Sequence, residues 1–220
     1  MEKSFSADPS LFDYVAETFA PEDATLKDIR ARMDAAGLPA IQVGALDGLH
    51  LEVLARACGV RKAVEVGTLG GYSGVCLLRG MPGDGVLHTF ELDPRHAEVA
   101  RETFHRAGFG ERAVVHVGPA SERLREIEPD GPFDLVFIDA DKPGYPGYLT
   151  WAEAHLRTGG VVLADNAFLF GSIVKSSPPP EDAPRVPAMR AFNQRLARGG
   201  RFRATMLPTG EGLAMGVKVR

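Results

Sequence analysis

The chain has 220 residues, 45% of them hydrophobic, which is enough to fill the core of one domain spanning 1–220. Its net charge of −4 comes from acids and bases mixed along the chain, so no basic stripe for nucleic acid forms. No apolar run approaches the roughly 18 residues of a membrane span, and "MEKSFSADPSLFDYVAETF" lacks the apolar centre of a signal peptide. Cys58 and Cys76 lie in apolar surroundings without a CxxC or histidine partner and read as buried free thiols. A cytoplasmic protein that binds neither nucleic acid nor membrane is expected.

Taken in order, residues 1–60 read as helices: "PSLFDYVAETF", "ATLKDIRARMDAAG" and "LDGLHLEVLARACG". From residue 61, short runs rich in Val and Ile alternate with helical patterns. The expected strands are 62–67, 85–91, 113–117, 133–139 and 160–165. Between them, "SGVCLLRGM", "PRHAEVARETFHRAG", "ASERLREI" and "GYLTWAEAHLR" carry apolar residues at three-to-four spacing. "SSPPPEDAP" (176–184) reads as an extended surface loop, since consecutive prolines forbid helix. The last stretch, "RFRATMLPTGEGLAMGVKV", reads as two strands joined by "PTGEG" with no helix between. Strand–helix alternation ending in a hairpin predicts an α/β fold: a mostly parallel sheet with helices on both faces, finished by an antiparallel hairpin. Residues 61–220 form this core, after the N-terminal helical segment.

"VEVGTLGGYSG" (64–74) follows the first strand and opens a helix. Gly67, Gly70 and Gly71 let backbone approach a ligand, and the helix start offers free N–H groups to an anion. Leu69 stands where a dinucleotide fingerprint needs its second glycine, so a pyrophosphate is disfavoured. Glu91 closes the second strand, where a carboxylate can accept from two ribose hydroxyls. A nucleoside without a pyrophosphate satisfies both features. S-adenosylmethionine is such a ligand, with its carboxylate near Ser73 and its ribose at Glu91. An ordinary strand-to-helix turn is the simpler alternative.

The fourth strand ends in "FIDADK" and the fifth in "LADNAF". Neighbouring parallel strands would bring Asp139, Asp165 and Asn166 together, an all-oxygen set suited to a hard divalent cation such as Mg²⁺, Mn²⁺ or Ca²⁺. Without a cation, the like charges must be separated, solvated or partly protonated. Alternatively, Asp165-Asn166 caps the next segment, and Lys142 is a solvated surface lysine.

"EVGTLGGYS", "FELDP", "GPASE", "FIDADK" and "LADNAF", in this order and spacing, resemble the metal-dependent class I O-methyltransferases, the family of catechol and caffeoyl-CoA O-methyltransferases. The resemblance covers about residues 35–220. It implies a seven-stranded sheet, S-adenosylmethionine as methyl donor and a magnesium-type ion. By position, it makes Asp139, Asp165 and Asn166 the metal ligands and Lys142 the catalytic lysine, with Asp139 acting also in catalysis and at the donor. It places the donor against Val43, Glu65, Gly67, Thr68, Gly71, Ser73, Glu91, Ala120 and Asp141, with Gly118 and Ser121 flanking the adenine edge. A homodimer is implied as well.

A free phenol has a pKa of about 10, so little phenolate exists at pH 7. A cation chelated by two vicinal hydroxyls favours ionisation, and Lys142 can take the proton if its own pKa is lowered. The expected reaction is methylation of one hydroxyl of a catechol. The long arm that plant relatives use against coenzyme A is not evident, which favours a free or differently carried catechol, with Phe168, Leu169 and Phe170 as a wall for the aromatic substrate. A metal-independent methyltransferase and a non-catalytic S-adenosylmethionine-binding module are the competing readings.

Overall fold

The structure, a computed structural model, describes residues 9–19 and 22–220. Helices α1 (Pro9–Phe19), α2 (Ala24–Ala35) and α3 (Ala45–Ala57) precede the first strand. Asp23 starts α2 by accepting the Leu26 amide at 3.0 Å, satisfying one free N–H of the first turn. Leu26, Ile29 and Met33 then recur at helical spacing and form its buried face. Among the described residues, no helix is long and apolar enough to cross a membrane.

The rest alternates: β1 (Lys62–Val66), α4 (Tyr72–Gly80), β2 (Val86–Glu91), α5 (Pro94–Arg106), β3 (Ala113–Val117), α6 (Ala120–Arg123), β4 (Phe133–Ile138), α7 (Tyr145–His155), β5 (Leu156–Ala164), α8 (Val186–Arg198), β6 (Phe202–Leu207) and β7 (Leu213–Lys218). One seven-stranded sheet runs β3-β2-β1-β4-β5-β7-β6. β1 to β5 pair in parallel, while β7 runs antiparallel to both β5 and β6. The expected mixed sheet and terminal hairpin are present.

Three local expectations are corrected. β5 starts at Leu156 rather than 160, because the chain leaves α7 directly into the sheet and slips register against β4 between Phe133 and Leu135. The helix expected over 120–127 is one α-turn followed by a 3₁₀ segment, Leu124–Asp130, that carries Pro129. Helix α8 was not anticipated, although Val186, Met189, Phe192 and Leu196 bury one face at clear helical spacing. The loop before it, 176–184, is mostly exposed as expected, but Asp182 is buried and accepts from Ser172 Oγ at 2.7 Å.

Alternation along the strands divides the core. Val64 and Val66 of β1 point with Val136 and Ile138 of β4 into the layer containing α7 and α8. Ala63, Leu135 and Phe137 face α2, α4 and α5. The order of strands reverses direction between β1 and β4, the place where open α/β sheets leave a crevice at the carboxyl ends.

Candidate active site

A row of backbone bonds carries the sheet one residue past its strands. Gly118 N donates to Glu91 O (2.8 Å), Gly67 N to Phe90 O (3.0 Å), Asp139 N to Val66 O (2.8 Å) and Asp165 N to Ile138 O (3.0 Å). Glu91, Gly67, Asp139 and Asp165 therefore stand abreast on the carboxyl edge. Only glycine fits at 67: its φ is +98°, and a Cβ would stand 1.9 Å from the Asp139 carbonyl oxygen.

Above this row opens a cleft of ≈ 1330 Å³. Val43, Gly67, Thr68, Ser73, Glu91, Gly118, Ala120, Ser121, Asp139, Asp141, Lys142, Asp165 and Asn166 all line it. Glu65 and Gly71 do not. Gly71 caps α4 with φ +88°, and Glu65 is fully buried beneath the floor. There it accepts from Ser73 Oγ (2.7 Å) and Thr89 Oγ1 (2.6 Å). Burial raises the Glu65 carboxyl to about 7, against the pull of those two donors, and the charges of Asp139 and Glu91 push the same way. Glu65 thus orients Ser73 from below.

Glu91 is held by two amides, Leu69 N at 2.7 Å and Asp93 N at 2.9 Å. Leu69 reaches it from a left-handed conformation, φ +49°, which is uncommon for a residue with a Cβ. A carboxylate has about four lone-pair sites, so Glu91 keeps capacity for hydroxyl donors in the cleft. Asp141 caps the short 3₁₀ turn at Lys142–Gly144, accepting from Gly144 N (2.9 Å) and Tyr148 Oη (2.7 Å).

At the other end, Lys142 Nζ donates to Tyr145 Oη (2.6 Å), Asn166 Oδ1 (2.8 Å) and, more weakly, Asp139 Oδ1 (3.4 Å). Burial lowers the Lys142 pKa, opposed by the charges of Asp139 and Asp165. Burial raises the Asp139 pKa, opposed by Lys142. Asp165 is pushed up to about 7, by burial first and by Asp139 second. Asn166 occupies the left-handed region at φ +54°, which asparagine tolerates, and its amide donates to Asp165 Oδ1 at 2.7 Å. Among the described residues, no three His, Cys, Asp or Glu side chains are grouped to hold a metal. The cluster offers two carboxylates and an amide oxygen, with one ammonium to offset them.

Several residues in or under the cleft escaped the sequence reading. Tyr145 locks Lys142 in place and donates to the Asp165 carbonyl at 3.0 Å; its i+3 spacing from Lys142 was a usable signal. Asp47, Glu211 and Arg185 join the cleft from α3, the β6–β7 turn and the edge of α8, positions that no local pattern connects. Of the expected substrate wall, Phe170 is 62% exposed and lines the cleft, Leu169 is buried, and Phe168 packs over Gly212.

The sequence matches the O-methyltransferase family over residues 16–219. The chain belongs to the O-methyltransferase family. Curated relatives include a catechol O-methyltransferase of Niastella koreensis, 36% identical over 90% of this chain and 89% of that protein. A second, from Mycobacterium tuberculosis, is 42% identical over 84% and 82% of the two chains. Among solved structures, an O-methyltransferase of Bacillus cereus in complex with SAH superposes with a TM-score of 0.87 at 36% identity, covering 95% and 97%. TomG of Streptomyces achromogenes in complex with SAM gives 0.83 at 33%, covering 96% of each chain. The family expected from the motifs is the family found.

Proposed function

We propose that this O-methyltransferase takes its methyl group from S-adenosylmethionine and transfers it to one hydroxyl of a catechol-type small molecule. In the same reading, a hard divalent cation such as Mg²⁺ is held by Asp139, Asp165 and Asn166, and the enzyme works in the cytoplasm as a homodimer. The observation that carries it is the strand-end row itself: Glu91 and the glycine-rich turn at one end of a single cleft, the Asp139–Asp165–Asn166–Lys142 cluster at the other. The names of the two catechol O-methyltransferase relatives and the SAM- and SAH-bound structures support the donor and the acceptor class.

The residues fit a cation. Buried Asp165 and partly buried Asp139 share one ammonium, and Asp165 is raised to about 7 by burial first and by Asp139 second, more than that ammonium offsets. A divalent ion bound there would supply charge that favours the deprotonated form of an acceptor hydroxyl. Lys142, desolvated and held by Tyr145, takes the hydroxyl proton onto Nζ. The freed oxygen forms a bond to the donor's methyl carbon while the methyl–sulfur bond breaks, leaving S-adenosylhomocysteine. Gly67 and Ser73 place the donor. One observation favours a metal-independent second reading: the Lys142 ammonium already reaches two of the three proposed ligands.

Calorimetry tests the donor half. Losing charge-assisted hydrogen bonds costs about 1.5–3 kcal/mol, so Glu91→Ala should weaken S-adenosylmethionine binding roughly 10- to 150-fold. Wild-type affinity in that variant would remove Glu91 from the donor site.

A further inference from the structure

The donor end of the cleft is walled on one side by residues 40–44, which lie between α2 and α3 and belong to no helix or strand. Packing secures this wall poorly, since Val43 is buried but Ile41 is 69% exposed. Its backbone is tied at the near end by Leu38 N to Met33 O (3.0 Å) and by a local bond from Ile41 N to Pro39 O (2.9 Å). At the far end, the carbonyl of Val43 accepts from Arg30 Nη2 at 3.3 Å. That guanidinium is itself fixed. Its plane lies over the Tyr72 ring, 4.6 Å from the centroid, and its Nε donates to Glu22, which also accepts from Tyr72 Oη at 2.6 Å. Tyr72 is the first residue of α4, beside Ser73, and lines the cleft. One turn further along α2, Met33 packs against Gly70, where a Cβ would stand 2.4 Å from Met33 Cγ.

We propose that Arg30 is a positioning residue for the methyl donor: it clamps the 40–44 wall to the glycine-rich turn and so sets how tightly the donor end closes. The proposal rests on the donor reading above. Arg30 does not itself line the cleft, so it acts through Val43 and Tyr72. Its planar fork can stack on a ring and donate to two acceptors at once, a combination lysine cannot reproduce.

A merely structural role is separable, because a second ion pair ties the same helix down without reaching the wall. Arg79 Nη2 of α4 binds Asp23 Oδ2 at 2.8 Å, at the start of α2. The test is S-adenosylmethionine binding by calorimetry on the full chain, with donor release followed by stopped flow. Arg30→Met should bind the donor about three- to ten-fold more weakly, the worth of a typical hydrogen bond, with faster release and an unchanged KM for the acceptor. Arg30→Lys, the milder change should the first variant not fold, should lie between it and wild type. Arg79→Met should stay within about two-fold of wild-type affinity, as expected of a surface substitution. Wild-type affinity in both Arg30 variants, or equal weakening in Arg79→Met, would overturn the proposal. If the wild-type chain binds no S-adenosylmethionine, the donor reading falls and takes this proposal with it.

Discussion

Lys142→Ala is expected to lower kcat by about 10²- to 10⁴-fold, the usual contribution of a general base, with much smaller changes in donor affinity. The side chain is largely buried beside Tyr145 and reaches toward Asp139 and Asn166, so its loss should leave the donor end of the cleft intact. Because burial lowers the lysine's pKa, the neutral amine becomes available at lower pH than for an ordinary lysine. The wild-type rate should therefore rise with pH and level off once Nζ is deprotonated. The alanine variant should lose that plateau and keep gaining rate as the acceptor ionises unaided. Lys142→Arg should not rescue, since a guanidinium stays protonated. Near-full kcat in the arginine variant would reduce the lysine to an electrostatic contact.

Asp165→Asn should separate activity from stability in opposite directions. A bound cation is worth several kcal/mol of charge stabilisation, so activity should fall more than about 10²-fold. The fold should not suffer. The Asp165 pKa is raised in the folded state to about 7, so the stability it contributes is present at acid pH and lost as pH rises through 7. At pH 8, the ion-free wild type carries a buried carboxylate beside Asp139. The amide removes that repulsion, and the Tm of the ion-free variant at pH 8 should equal or exceed that of wild type. A clear drop in Tm would show that Asp165 is needed for folding rather than for an ion.

Most of the sheet was legible because each strand is a short Val- and Ile-rich run, and the hairpin because "PTGEG" joins two such runs without a helix. Of the thirteen candidates that share the cleft, all but Val43 sit on strand ends or in the turns and helix starts after them, where topology leaves little freedom once a parallel sheet is assumed. Glu65 shows the limit of reasoning by position. It belongs to the same motif, but alternation along β1 points it into the core, where it serves Ser73 instead of facing the cleft. Asp47 and Glu211 reach the cleft only because α3 and the β6–β7 turn fold back onto it. The Phe168 amide bonds to the Glu211 carbonyl, a contact 43 positions apart that no periodicity encodes. Arg30 was illegible for the same reason, since its meaning lies in Val43 and Tyr72, one a loop carbonyl and the other a ring on a different element.

The most direct measurement is turnover of a catechol with S-adenosylmethionine, followed by mass spectrometry of the products, in chelator and after adding back Mg²⁺. The expected result is S-adenosylhomocysteine and a mono-O-methylated catechol with Mg²⁺, no product in chelator, and recovery when the ion returns. Full turnover in chelator would contradict the metal centre and favour the Lys142 ammonium as the sole cation. No methylated product from any catechol, with donor bound and Mg²⁺ present, would contradict the acceptor class.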